Sequence, residues 1–210
     1  RFDTMMNPHL SVNSSGELYL YNPKKPFKSV DGRMVMLNEL PPAVRKYDAD
    51  GTELISLCNL PKPVLDINIM TFSNGITLDE ESNLYEVHPL FYQIRKFNQK
   101  GKLIRKVRPE SHFYHIENSK GNKAIILNGP FYPGNGLLAV QVEKHVDVFN
   151  KDFHKVIDEL PFPEKIVHAQ NKRLYTVVWP EENSEEAYNN PVINLYEVSR
   201  SREAGKKQEK

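Results

Sequence analysis

The residues best equipped for chemistry in this chain are its histidines. The run Ser111-His112-Phe113-Tyr114-His115 carries two imidazoles three positions apart, and a turn there would aim both at one ligand. Neutral imidazole is a common metal donor, so with His168 or Glu110 as a third ligand the run would hold a divalent cation. Against that stands the plainer reading, solvated or turn-capping histidines, which so short a motif favours. Trp179, next to Pro180, would serve as an aromatic platform for a sugar or base, or simply pack between sheets. The acidic loop with Glu181, Glu182, Glu185 and Glu186 would attract a cation or a basic partner, or remain a solvated loop.

Several chemistries are missing from the sequence. There is no Gly-rich phosphate loop, no Gly-x-Ser-x-Gly, no His-Glu-x-x-His, no haem-attachment motif and no EF-hand loop. The single Cys58 has no internal disulfide partner and reads as a buried thiol. Twenty-eight basic residues against 27 acidic ones leave a formal charge of +1, without the excess that nucleic-acid binding through phosphates requires. No apolar run approaches the ~20 residues of a membrane-spanning helix, and no signal-like segment opens the chain.

Short strands must position whatever site exists. From Gly75 to Val107 four apolar runs follow one another: Ile76 to Leu78, Leu84 to Val87, Ile94 to Phe97 and Leu103 to Val107. Between them lie polar connections, one of which, Asn98 to Gly101, ends in the residue that accepts positive φ without cost. This is a four-stranded antiparallel meander, and it recurs. RKFNQKG at Arg95 to Gly101 has a counterpart in RKYDADG at Arg45 to Gly51, with weaker echoes at Val146 to Asp152 and Ile193 to Ser199. The aromatic marks Tyr47, Phe97, Phe149 and Tyr196 are spaced by 50, 52 and 47 residues. A second mark precedes each: Leu18-Tyr19, Leu84-Tyr85, Leu137-Leu138 and Leu174-Tyr175. A four-stranded repeat of about 40–50 residues is the blade of a β-propeller.

On these repeats the chain resembles the NHL-like, six-bladed β-propeller proteins. The resemblance implies an all-β fold of four-stranded antiparallel blades. Four blades are present, at about 9–60, 75–107, 123–160 and 165–199, in a single propeller domain over 1–200 with a disordered tail at 201–210. It also implies an arc of a six-bladed ring rather than a closed four-bladed one. Arg1-Phe2-Asp3-Thr4 reads like the end of another repeat's third strand, as if the chain began inside a blade.

An insertion from Asn22 to Pro42 carries four prolines and an extra strand near Met34 to Leu37; it is either a partner-binding lip or a tolerated excursion. In blade three, Lys123 to Leu127 is expected as the first strand and Gly129 to Gly136 as the turn.

Function is expected to lie in binding: a non-catalytic scaffold presenting rim loops to a protein, peptide or glycan, with His112, Tyr114, His115, His168 and Trp179 as candidate binding residues. No cofactor, nucleic acid or membrane span is expected. The alternative is a lactonase-like, metal-dependent lyase or hydrolase at the axial mouth, using calcium or zinc. His9 and His168 fall in first strands, where metal-binding members of the resembled family place axial ligands. Relatives whose last blade ends like Asn194 to Val198 look like exported proteins, which implies a periplasmic or extracellular location.

Overall fold

Among the described residues one five-residue loop is used five times to reverse the chain. Asn13, Asp48, Asp79, Asn98 and Asn150 each open such a loop. Their side-chain Oδ1 accepts the backbone N–H groups two and four residues ahead, at 2.7–3.0 Å. The backbone N–H of the first residue donates to the carbonyl of the fifth, and the fourth donates back to the first. That fourth residue must adopt positive φ. It is Gly16, Gly51 and Gly101 in three loops and Ser82 and Phe153 in the others.

The computed structural model describes residues 9–21, 27–31, 33–36, 42–58, 75–88, 92–112, 116–117, 123–124, 127–178 and 191–198. Their strands form a β-propeller with four blades and no helix. Blade one holds β1 (His9–Val12) and β2 (Leu18–Tyr21); the hairpin β3 (Phe27–Val30) and β4 (Arg33–Met36) intervenes before β5 (Val44–Tyr47) and β6 (Glu53–Leu57). Blade two is β7 (Ile76–Leu78), β8 (Leu84–His88), β9 (Gln93–Phe97) and β10 (Leu103–Val107). A short ladder of β11 (Ile116–Glu117) and β12 (Lys123–Ala124) precedes blade three, which is β13 (Leu127–Gly134), β14 (Leu137–Val142), β15 (His145–Asn150) and β16 (Lys155–Pro161). Blade four has three strands among the described residues: β17 (Lys165–Gln170), β18 (Arg173–Val178) and β19 (Val192–Glu197).

The two sequence marks meet in every blade as one cross-strand pair: Leu18 with Tyr47, Leu84 with Phe97, Leu138 with Phe149 and Leu174 with Tyr196. A sheet alternates its side chains between two faces. The pair marks what we call the front face of each blade, the face turned to the preceding one. Ile76, Leu84 and Phe97 on the front of blade two pack on Tyr19, Tyr21 and Leu57 from the back of blade one. Leu138 and Phe149 meet Val87 and Ile94 in the same way, and Ile166 and Leu174 meet Ala139 and Val148. Each seam is built on an apolar cluster of its own.

The expected turn at Gly129 to Gly136 is instead the body of an eight-residue strand, and Lys123–Ala124 belongs to the small ladder outside the blade. The turn signals misled for a local reason. β13 is the inner edge of its sheet, and its ladder is interrupted on both sides of Phe131, so Pro130 and Pro133 sit where no backbone donor is needed. The reversal is left to Asn135 and Gly136, both at positive φ. Cys58 is buried, as read from the sequence.

The seam between blades three and four also carries a polar clamp. Buried Gln141 accepts from the N–H of Ile166 at 3.0 Å and donates to the carbonyl of Glu164 at 2.6 Å, while Asn128 bridges Gln141 Oε1 and the carbonyl of Ile166. Removing the amide strands that N–H and that carbonyl in the seam. Gln141→Leu is therefore expected to lower unfolding free energy by about 1–3 kcal/mol in urea titration, with blade four released before the rest.

Candidate functional site

A cleft of about 950 Å³ opens on one rim between blades two and three. Its first wall grows out of the loop that Asp79 opens. With Oδ1 committed to the backbone, Asp79 Oδ2 collects three side-chain donors: Asn83 Nδ2 at 3.0 Å, Lys96 Nζ at 3.0 Å and the Tyr85 hydroxyl at 3.2 Å. Lys96 also lies over the Tyr85 ring, 4.8 Å from its centroid. Burial alone would raise the Asp79 pKa, but the hydrogen bonds from Asn83 and Lys96 outweigh it and hold the carboxyl below the usual carboxylate range.

The second wall comes from blade three. Tyr132 stacks on Tyr85 at 5.9 Å between centroids, donates its hydroxyl proton to Glu80 and accepts the N–H of Gly136 at 3.0 Å. Burial, reinforced by the neighbouring carboxylates, pushes both phenols above their ordinary pKa, so both remain neutral donors. Around the mouth lie exposed Glu81 and Lys151 and a half-exposed pair, Arg105 Nη1 with Asp152 Oδ1 at 3.1 Å. The described lining residues include no Ser, Thr, Cys or His. The arrangement offers fixed charges of both signs and a wedge of two phenols, which suits recognition; it contains no nucleophile paired with a base.

The Asp79 loop has a pH signature. A carboxyl depressed in the folded state contributes stability that is complete above its unfolded pKa and is lost as pH falls through the folded one, so the loss sets in below about pH 4. Asparagine opens three of the five equivalent loops and can keep the Oδ1 bonds. Asp79→Asn is expected to cost about 1–3 kcal/mol at pH 7, because an amide NH2 would replace the oxygen that accepts from Asn83, Tyr85 and Lys96, and the gap from wild type should narrow as urea titrations move from pH 7 toward pH 3.

His112 is placed away from this cleft. Its ring is exposed and its Nδ1 lies 3.1 Å from Glu159 Oε2, while its backbone N–H donates to Glu159 Oε1 at 3.1 Å. These bonds lower the Glu159 pKa and tie the segment after blade two to β16. His168 lies on the back of blade four with its ring 5.5 Å from that of Tyr175. Tyr114, His115 and Trp179 lie outside the described residues, as do the acidic loop at Glu181 to Glu186 and the termini before His9 and after Val198. His9 is in β1, as expected. Among the described residues no three His, Cys, Asp or Glu side chains form a group that could hold a metal ion, so those residues do not fit a calcium or zinc site. Sequence reading took Asp79 to Asn83 only as a turn; the cross-blade partner Tyr132 is 52 residues from Glu80, and nothing local announces it.

Two buried charge centres lie elsewhere in the seams. Asp147, fully buried on β15, accepts from the Tyr92 hydroxyl, from Lys155 Nζ at 3.1 Å and from the N–H of Glu159 at 2.7 Å. Glu86 and Arg95, opposite each other on β8 and β9, form an ion pair at 2.7 Å in the seam facing blade one, with Tyr21 and Cys58 beside them.

No helix among the described residues is long and apolar enough to cross a membrane. No family model matches the chain, and no curated protein matches its sequence. Among solved structures it is similar to a streptogramin B lyase, with a TM-score of 0.52 and 14% identity over 92% of this chain and 55% of that one. It is also similar to virginiamycin B lyase from Staphylococcus aureus (TM-score 0.48, 12% identity, 91% and 69%) and to the WD40 domain of Neurospora crassa Pan2 (0.46, 9%, 84% and 51%). The chain spans just over half the length of the first of these. At such identities the likeness is one of fold, and the fold is that of a β-propeller.

Proposed function

We propose that the protein is a non-catalytic binding module of the NHL-like type, which offers the rim cleft between blades two and three to a protein, peptide or glycan partner outside the cytoplasm. The observation that carries this reading is the construction of the cleft. Its charged and phenolic groups are held in place by one another across two blades, so a partner meets a preorganised surface and pays little to order it.

Labelled protein on peptide and glycan arrays tests the idea. Ligands retained by the wild type should be lost on combining Arg105→Glu with Lys151→Glu, with affinity falling about tenfold or more, and should weaken with added salt. Binding indifferent to both substitutions would remove the cleft from consideration. The enzyme alternative makes the opposite demand: stoichiometric calcium or zinc in purified protein, lost on His112→Ala or His168→Ala, together with lactone hydrolysis. Fractionation of the producing cells tests the location.

A further inference from the structure

The cleft between blades two and three is electrically two-ended, and the order of strands sets the direction. From the inner edge outward the strands run β7, β8, β9, β10 in blade two and β13 to β16 in blade three. Glu80 and Glu81 stand on the loop between β7 and β8, at the inner end of the cleft. Arg105 on β10, with Lys151 and Asp152 on the loop between β15 and β16, stands at the outer end. Three strand spacings of about 4.8 Å put roughly 14 Å between the two groups.

The charges between the ends are already matched. Lys96 and Asp79 pair at 3.0 Å with side chains 15% and 6% exposed, so the middle of the cleft presents them as a neutral unit. At the outer end Arg105 shares Asp152 at 3.1 Å, while Lys151 makes no ion pair among the described residues, which leaves one positive charge in excess. At the inner end the Tyr132 hydroxyl holds Glu80 over β13, and Glu81 accepts from Asn83 at 3.1 Å. Neither carboxylate meets a cation within ion-pair distance among the described residues. Glu80, Glu81, Arg105 and Lys151 are all exposed. A separation of roughly 14 Å exceeds the screening length of about 8 Å at physiological salt, so the two ends do not neutralise each other.

A ligand that matches both ends must carry both signs at that spacing. Resting on the reading of the cleft as a binding site, we propose that its occupant is an extended peptide segment with opposite charges four residues apart. The basic side chain lies inward on Glu80 and Glu81, and the acidic one outward on Arg105 and Lys151. In an extended chain, residues i and i+4 project from one side about 13 Å apart, close to the span of the cleft. Residue i+2 projects from the same side and meets the middle, where half-buried Tyr132 and exposed Ile104 supply apolar surface. Other occupants fit less well. A uniformly anionic peptide or glycan is repelled at the inner end, a uniformly cationic one at the outer end, and a neutral glycan leaves both unmatched.

Fluorescence anisotropy with labelled peptides tests this. The probes are acetyl-Gly-Arg-Ala-Leu-Ala-Glu-Gly-amide, the same peptide with Arg and Glu exchanged, and versions with two Arg, two Glu or two Gln at those positions. One or both mixed-charge peptides should bind about tenfold tighter than the like-charged and neutral ones, and moving the two charges to adjacent positions should abolish the advantage. Combining Arg105→Glu with Lys151→Glu should transfer the preference to the two-Arg peptide. Glu81→Lys, at the other end, should weaken the mixed-charge peptides about fivefold and serves as a second, independent variant. Equal affinity for all probes, or preference for a single sign, would overturn the proposal; if the cleft substitutions still reduced that binding, the cleft itself would stand as the site. Glycan binding lost on the same substitutions, with no peptide bound, would have the same meaning. Peptide binding indifferent to every substitution would overturn the proposal and the cleft together, as would the absence of any binding.

Discussion

Glu86→Ala is expected to lower unfolding free energy by about 3–5 kcal/mol. Glu86 is fully buried, and its partner Arg95 is nearly so. Their surroundings cannot take over the charge. Burial, with the Glu86 carboxylate adding to it, pushes the Tyr21 phenol and the Cys58 thiol well above their ordinary pKa values, so both are neutral. Although desolvation opposes it, the Glu86 charge and its hydrogen bond raise the Arg95 pKa. Without Glu86 the seam would hold a nearly buried guanidinium that has lost its 2.7 Å carboxylate partner. The pair itself is a different matter: exchanging both residues for methionine should leave stability within about 1–2 kcal/mol of wild type or raise it, since two ions are then no longer withdrawn from water. Urea denaturation of Glu86→Ala and of the double methionine variant decides the point. A cost below about 1 kcal/mol for Glu86→Ala would mean that water reaches the pair in solution.

Gly101→Ala is the second large effect, at about 2–4 kcal/mol. The residue has φ +78°, which a side chain resists, and an added Cβ would lie 2.3 Å from Leu57 Cδ2 and 3.3 Å from Ile55 Cδ1 of blade one. The loop of one blade is therefore seated directly on its neighbour. Gly51 supplies the control, because its φ is +85° in an equivalent loop with nothing within 4 Å of the added atom. Gly51→Ala should show the backbone cost alone, about 1 kcal/mol. The excess at Gly101 should shrink in a Leu57→Ala background, where the obstructing methyl is gone. Equal losses at the two glycines would show that the seam yields freely at this place.

How much of this was legible in the sequence depended on distance along the chain. The leucine and aromatic marks were visible because the strands that pair them are neighbours in sequence, and every one of the four pairs forms in register. The loops were legible for the same reason: an Asx residue, three or four polar positions and a residue tolerating positive φ are all local. Ser82 and Phe153 were harder to see, since a serine and a phenylalanine stand where glycine would announce the turn. Phe153 is there for another purpose, its ring meeting Tyr85 across the seam. The cleft escaped notice because its walls come from different blades, and β13 was misread because glycine and proline mean something different at an interrupted edge than in a loop. His112 was singled out for its composition, yet its geometry makes it a tie to Glu159.

The succession of seams carries a last consequence. Among the described residues each apolar cluster joins a blade to the next in sequence, so cooperativity is transmitted like that of a linear array, and a defect matters according to its rank in the row. A lesion in blade four trims the protein from one end. A lesion in blade two, where both Glu86 and Gly101 reside, interrupts the row, and amides on either side of it should then exchange together.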